Sequence, residues 1–330
     1  MLYVTTRNKN DAHTAYKTLT ADRGEDGGFF VPFQIPTVSK EYIEGLKDKS
    51  FGQSVADILN IFFSARLDGW DVDFSIGRNP VKLVPMSRRI VVAETWHNPD
   101  WDFARIVRNL SSRIQGNDDT LGIPSAWAWI AVRIATLFGL YGQMQRQGLA
   151  AGGAIDVAVA AGDFSGPMAI WFARQMGLPV GTIICACDEE SKLWDLLHQG
   201  QLRTDSVSSD TLERLIYSQF GTGEVMRFLE ACSQGAVYTP AGEVDKDLFV
   251  AVVSQKRTET IIYNVYRTCT YLLDPNSASA YGGLQDYRST PGEGRLTLLL
   301  TERSPVRSLP EVAKAMGIPE QELLERITKA

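Results

Sequence analysis

The sequence predicts an α/β fold, a mostly parallel sheet flanked by helices, on three observations. Residues 154–190 read as strand, glycine turn, helix, short link and strand. That is a βαβ unit, and such units build parallel sheets. Short apolar runs recur at Ile90-Val-Val-Ala93, at Ile155, Val157 and Val159, and at Leu296-Thr-Leu-Leu-Leu-Thr301, as strands buried on both faces require. Elsewhere the apolar spacing is helical, most plainly over Ala126–Met144.

Taken in order, Tyr3-Val-Thr-Thr is expected as an edge strand, followed by a turn at Asp22–Gly28 and the segment Phe29–Pro36. Ser39 caps a helix beginning at Lys40, with Glu41 complementing its dipole. Ser54–Phe63 is a second helix, with Val55, Ile58, Leu59 and Phe62 on one side. Lys82–Pro85 and Ile90–Ala93 are strands, Glu94–Pro99 is a loop, and Asp100 or Asp102 caps a helix over Phe103–Ile114. Residues 115–122 are polar. In the central unit, Gly162 and Gly166 supply backbone freedom for the turn. Pro167 suits the first helical position, and Gly177 with Pro179 stops the helix.

Further on, Lys192–His198 is an amphipathic helix ending at Gly200, and Ser209 starts another. Leu248-Phe-Val-Ala-Val-Val reads as helix or strand. Tyr271–Asn276 leads into a helix toward Tyr287. Ser308, Pro310 and Glu311 mark a capped helix start.

Composition narrows the function classes. The chain has 330 residues, enough for about two domains, and a net charge of -6. No basic stripe suggests nucleic acid. The apolar segment Ala126–Leu140 contains Arg133 and is too short to span a bilayer. No secretion signal opens the chain, so cytoplasm is the default location. Four cysteines make no disulfide framework, and Cys185 and Cys187 read as core residues sharing one strand face.

A glycine turn entering a helix gathers backbone N–H groups around one point, which suits a phosphate. The plainer alternative is a tight strand-to-helix turn with no ligand. Asp163 weighs toward the plainer reading, since a carboxylate repels an anion.

The order of segments resembles the threonine synthases, pyridoxal-phosphate enzymes of the tryptophan-synthase-β fold type. The resemblance rests on Tyr3–Arg7, Asp26-Gly-Gly-Phe-Phe-Val-Pro32, Ile35-Pro36, Glu94–Pro99, Gly162–Gly166, Met176–Val180, Ile184–Glu189, Tyr271–Asn276 and Thr301–Arg307. It implies a threonine-synthase-type N-terminal region over residues 1–90. Residues 91–330 would be the large α/β core, with an anion loop at 162–166 and a small domain reduced to about 91–123. Gly162, Asp163, Phe164, Ser165, Gly166 and Thr301 then stand at the family's cofactor positions.

The departures matter as much. Aligning His97 and Phe103 places Ala104 where the family has its imine-forming lysine, and Arg105 on the next position. Alanine forms no imine, and an arginine stays protonated. Asp163 replaces an asparagine, Ser165 is an extra residue, and Asn276 replaces a histidine. The resemblance with these losses implies a degenerate paralogue without pyridoxal-phosphate catalysis, which would serve as a binding or regulatory subunit or keep a small-anion site at Gly162–Gly166 for phosphate or non-covalent pyridoxal phosphate. The rival is an active lyase on a phosphohomoserine-like substrate using a lysine from elsewhere, with Lys82 nearest in sequence. Cofactor-free chemistry in the same cleft is a third reading, for which no catalytic pair stands out.

Single residues add little. His97 reads as ordering its loop, and His13 and His198 as surface residues. Asp100/Asp102 and Asp118/Asp119 read as caps and turn residues rather than a metal or acid–base pair. Trp127 and Trp129 cannot share a helix face, so one is expected to look toward another helix or a second chain, a hint of homo-oligomer or partner protein.

Overall fold

The computed structural model describes residues 1–76, 81–96, 126–150, 152–204, 209–289 and 294–329. His97, Ala104, Arg105, both acidic pairs and the Phe103–Ile114 helix lie outside these residues, as does most of the segment 91–123.

The N-terminal strand β1 (Leu2–Thr5) sits between β2 (His13–Thr14) and β3 (Phe30–Pro32), antiparallel to both. It is therefore a central strand and not the edge strand expected. Tyr3, Val4 and Thr5 are all buried, so neither face is left to solvent. Helix α1 (Ala15–Thr20) follows β2. Ser39 caps α2 (Lys40–Gly45) as expected, its hydroxyl accepting from Tyr42 N at 3.2 Å. Helix α3 (Phe51–Phe63) begins three residues before the expected Ser54, because Ser50 Oγ accepts from Gln53 N at 3.0 Å. Helix α4 (Gly69–Ile76) has no clean apolar period to mark it in the sequence.

The main sheet collects β4 (Lys82–Ser87), β5 (Ile90–Glu94), β6 (Ile155–Ala160), β7 (Val180–Cys187), β10 (Leu248–Val252) and β11 (Thr297–Thr301) in the order β10-β7-β6-β11-β5-β4. A small pair, β8 (Leu202–Arg203) and β9 (Val237–Tyr238), stands apart. All neighbours in the main sheet are parallel except β4, which folds back on β5. The ambiguous run at 248 is thus a strand, its five residues in register with Ile183–Cys187.

Helix α5 (Ala126–Arg146) leads into β6, and α6 (Ser165–Gln175) joins β6 to β7. Then come α7 (Lys192–Gln199), α8 (Ser209–Phe220), α9 (Thr222–Gln234), α10 (Gln255–Cys269) and α11 (Pro275–Ser289). Helices α12 (Leu309–Met316) and α13 (Glu320–Lys329) close the chain. Alternate strand residues face opposite layers. Val91, Ala93, Val157, Val159, Ile183, Cys185 and Leu298 pack with α3, α5 and α6. Ile90, Val92, Ala158, Ile184, Ala186 and Leu299 pack with α10, α11 and α12. Cys185 and Cys187 share the first face and are buried.

Two more helix starts differ from expectation. Helix α6 begins at Ser165, so Pro167 is its third residue, still within the turn whose N–H groups have no helical partner. Ser308 makes no capping bond to α12, because a 3-10 turn (Pro305–Ser308) runs straight into the helix. Ser304 serves that turn instead, accepting from Val306 N at 3.3 Å.

Candidate functional site

Strands β5, β6, β7 and β10 step across the sheet in one direction, and β11 then returns to lie between β6 and β5. The order reverses between β6 and β11, and open α/β sheets hold ligands in the crevice outside the strand ends at such a point. A cleft of about 450 Å³ lies there, walled by Ala160–Asp163 after β6 and by Glu302 and Arg303 after β11. Trp129 and Arg133 of α5, Arg214 of α8, and Asn276 and Ser277 of α11 complete it.

The glycine loop joins β6 to α6. Gly162 has φ +48°, where a side chain is strained, but the second left-handed residue is Phe164 at φ +65°, not Gly166. Such a conformation in a non-glycine residue persists only where the surroundings hold it. Phe164 is buried, its N–H donates to Ala161 O at 2.8 Å, and its carbonyl accepts from Met168 N at 3.0 Å.

Asp163 does not confront the cleft alone. Its Oδ1 accepts from Ser165 N (3.0 Å) and Ser165 Oγ (2.5 Å). Its Oδ2 lies 2.9 Å from Arg214 Nη1, which also donates to the Asp163 carbonyl at 2.7 Å. Burial opposes the charge, yet the Ser165 hydroxyl and Arg214 outweigh it and hold this carboxyl below the usual range. Arg214 is itself 7% exposed and lies 4.2 Å over the Phe29 ring. On the other side, Arg133 Nη1 donates to Ser165 Oγ at 3.1 Å, while its Nε and Nη2 grip Glu302 at 2.9 and 3.2 Å. One hydrogen-bonded row therefore crosses the cleft floor from Glu302 through Arg133, Ser165 and Asp163 to Arg214.

Gly162, Asp163, Ser165 and Gly166 thus line one cleft, and Phe164 props their loop from beneath. Thr301 is not among the residues lining it. Its hydroxyl donates to Ala93 O at 2.9 Å and accepts from Trp96 Nε1 at 3.1 Å, within the sheet. Lys82 starts β4 at the same end of the sheet, half exposed, with Nζ 4.0 Å from Glu94 Oε2. Glu94 is buried and accepts from Tyr271 Oη at 2.9 Å; burial, then the Glu94 charge, push this phenol up. Trp127 fills the core, whereas Trp129 lines the cleft. No group of three metal-ligating side chains occurs among the described residues. No helix among them is long and apolar enough to cross a membrane.

The arginines were not singled out as site residues from the sequence. Arg133 did carry a signal, as the one charge inside a buried apolar helix, where it needs a partner or a cleft. Arg214 carried none, since α8 is an ordinary amphipathic helix whose charges look like a solvated face.

The chain is of the α/β class: a mostly parallel core with a polar cleft at the switch point, on the carboxyl edge of its sheet. Residues 2–76 match the family model for the threonine synthase N terminus. No curated protein matches the chain. Among solved structures, a PLP-bound threonine synthase from Brucella melitensis is similar at TM-score 0.81 and 19% identity, over 96% of this chain and 92% of that one. Threonine synthases from yeast (TM-score 0.76, 15% identity, 96% and 90% covered) and Escherichia coli (0.68, 16%, 96% and 92%) are similar as well. The chain has the threonine synthase fold and opens with a segment that matches that family's N terminus.

Proposed function

We propose that this chain is a threonine-synthase-like protein without pyridoxal-phosphate catalysis, a binding or regulatory paralogue that holds a small anionic ligand in the cleft at Gly162–Gly166. One observation carries the reading: Asp163 takes the Ser165 amide and hydroxyl, and Arg214, onto its own carboxylate. Those are the donors that a cofactor phosphate would need at the start of α6. The cofactor's aldehyde needs an amine, and no lysine is among the described residues lining the cleft. Ala104 at the family's lysine position supports the same conclusion. The described residues do not fit the cofactor. Arg303, in no salt bridge among the described residues, is the lining arginine that fits an anion.

The rival reading, an active lyase, draws on the likeness to a PLP-bound enzyme and on Lys82 standing at the cleft's end of the sheet. Incubation with pyridoxal phosphate, borohydride reduction and peptide mass analysis separate the two. The expected outcome is no stoichiometric pyridoxyl-lysine; full labelling of one lysine overturns the non-catalytic reading.

A further inference from the structure

We infer that Asp163 is the specificity residue of this cleft: its carboxylate fills the place where a phosphate would sit, so the cleft rejects phosphate monoesters and takes a singly charged carboxylate at Arg303. This rests on the anion-cleft reading above and deepens it.

Three donors converge on Asp163, namely the Ser165 amide, the Ser165 hydroxyl and Arg214 Nη1. That is the complement a helix start offers to phosphate oxygens, and it is spent on the chain's own carboxylate. Arg214 is held there at a cost, since its Nε is buried without a hydrogen-bond partner among the described residues. The Asp163 side chain remains 61% exposed, so a dianion entering the loop would meet a like charge at contact distance.

The rest of the cleft allots its charges in pairs. Arg214 pairs with Asp163 and Arg133 with Glu302, while Arg303 is in no salt bridge within 4 Å among the described residues, its charge acting on the buried Asp274 only from farther off. Among the described residues the lining therefore carries one positive charge in surplus, the complement of a monoanion. Trp129, Val159 and Leu300 offer an apolar wall to a short hydrocarbon portion beside that charge.

The test titrates inorganic phosphate and butyrate, with chloride as the ionic-strength control, into the native chain, Asp163→Asn and Arg303→Met. Binding is read by calorimetry and thermal shift. Asparagine keeps an oxygen for the Ser165 amide, and Arg303 is exposed, so folding is preserved, as circular dichroism checks. The expected result is butyrate binding to the native chain, weakened at least tenfold in Arg303→Met. Phosphate should bind Asp163→Asn at least tenfold tighter than the native chain. Equal phosphate affinity in the native chain and Asp163→Asn overturns the specificity role, as does butyrate binding that ignores Arg303. If neither anion binds any of the three proteins, the anion-cleft reading itself falls and takes this inference with it.

Discussion

Replacing Arg7 by methionine tests how the N-terminal segment is fastened to the rest of the chain. Glu213, on α8, is wholly buried. Arg7 Nη2 lies 2.8 Å from Glu213 Oε2 and Nε lies 3.2 Å from Oε1, and the Thr6 hydroxyl donates to the same carboxylate. Arg7→Met keeps the hydrocarbon stem and strands the carboxylate. Removing one partner of a buried pair costs about 3–5 kcal/mol, and the surviving Thr6 bond favours the lower end. For a chain of 330 residues, about 3 kcal/mol lowers Tm by roughly 4 °C. Urea unfolding of Arg7→Met, Glu213→Leu and the double variant supplies the assay. The double variant should be more stable than the sum of single losses implies, with a coupling of about 2 kcal/mol. The loss should also reach the cleft, because the next residue on α8, Arg214, holds Asp163. A Tm change below about 1 °C in Arg7→Met, or no coupling in the cycle, refutes the reasoning.

Three further outcomes are expected. Ser50→Ala removes a real cap and should cost about 1 kcal/mol, whereas Ser308→Ala removes none and should stay within about 0.5 kcal/mol, both by urea unfolding. A Cβ added at Gly142 would stand 2.7 Å from the Leu46 carbonyl oxygen, while one at Gly45 meets nothing within 4 Å. Gly142→Ala should therefore lose about 1–3 kcal/mol despite its better helix propensity, and Gly45→Ala should gain up to about 1 kcal/mol, by calorimetry. The Asp163 carboxyl sits below its usual range in the folded chain, held by Ser165 and Arg214 against burial. Its contribution is thus present above the unfolded value of about 3.9 and is lost as pH falls through the lower folded value. The Tm gap between the native chain and Asp163→Asn should be flat from pH 7 to about 4 and shrink below that. A gap that widens in acid contradicts the pairing.

By itself the sequence determined the layers. Alternation in Ile155, Val157 and Val159 reports which face a strand turns to each helix layer, and caps such as Ser39 depend only on neighbours three residues away. These are local effects, so a linear reading captures them. The same reading placed the glycine loop correctly yet assigned left-handed freedom to Gly166, when burial of the Phe164 ring puts that conformation on Phe164. It also saw Asp163 as a lone repulsive charge. Its partner Arg214 is 51 residues away, and Arg133 reaches Ser165 across 32. Only the folded sheet, with β11 inserted between β6 and β5, brings these charges to one cleft. A charge's meaning is set by what stands within a few ångströms of it, and that neighbourhood is made by tertiary packing.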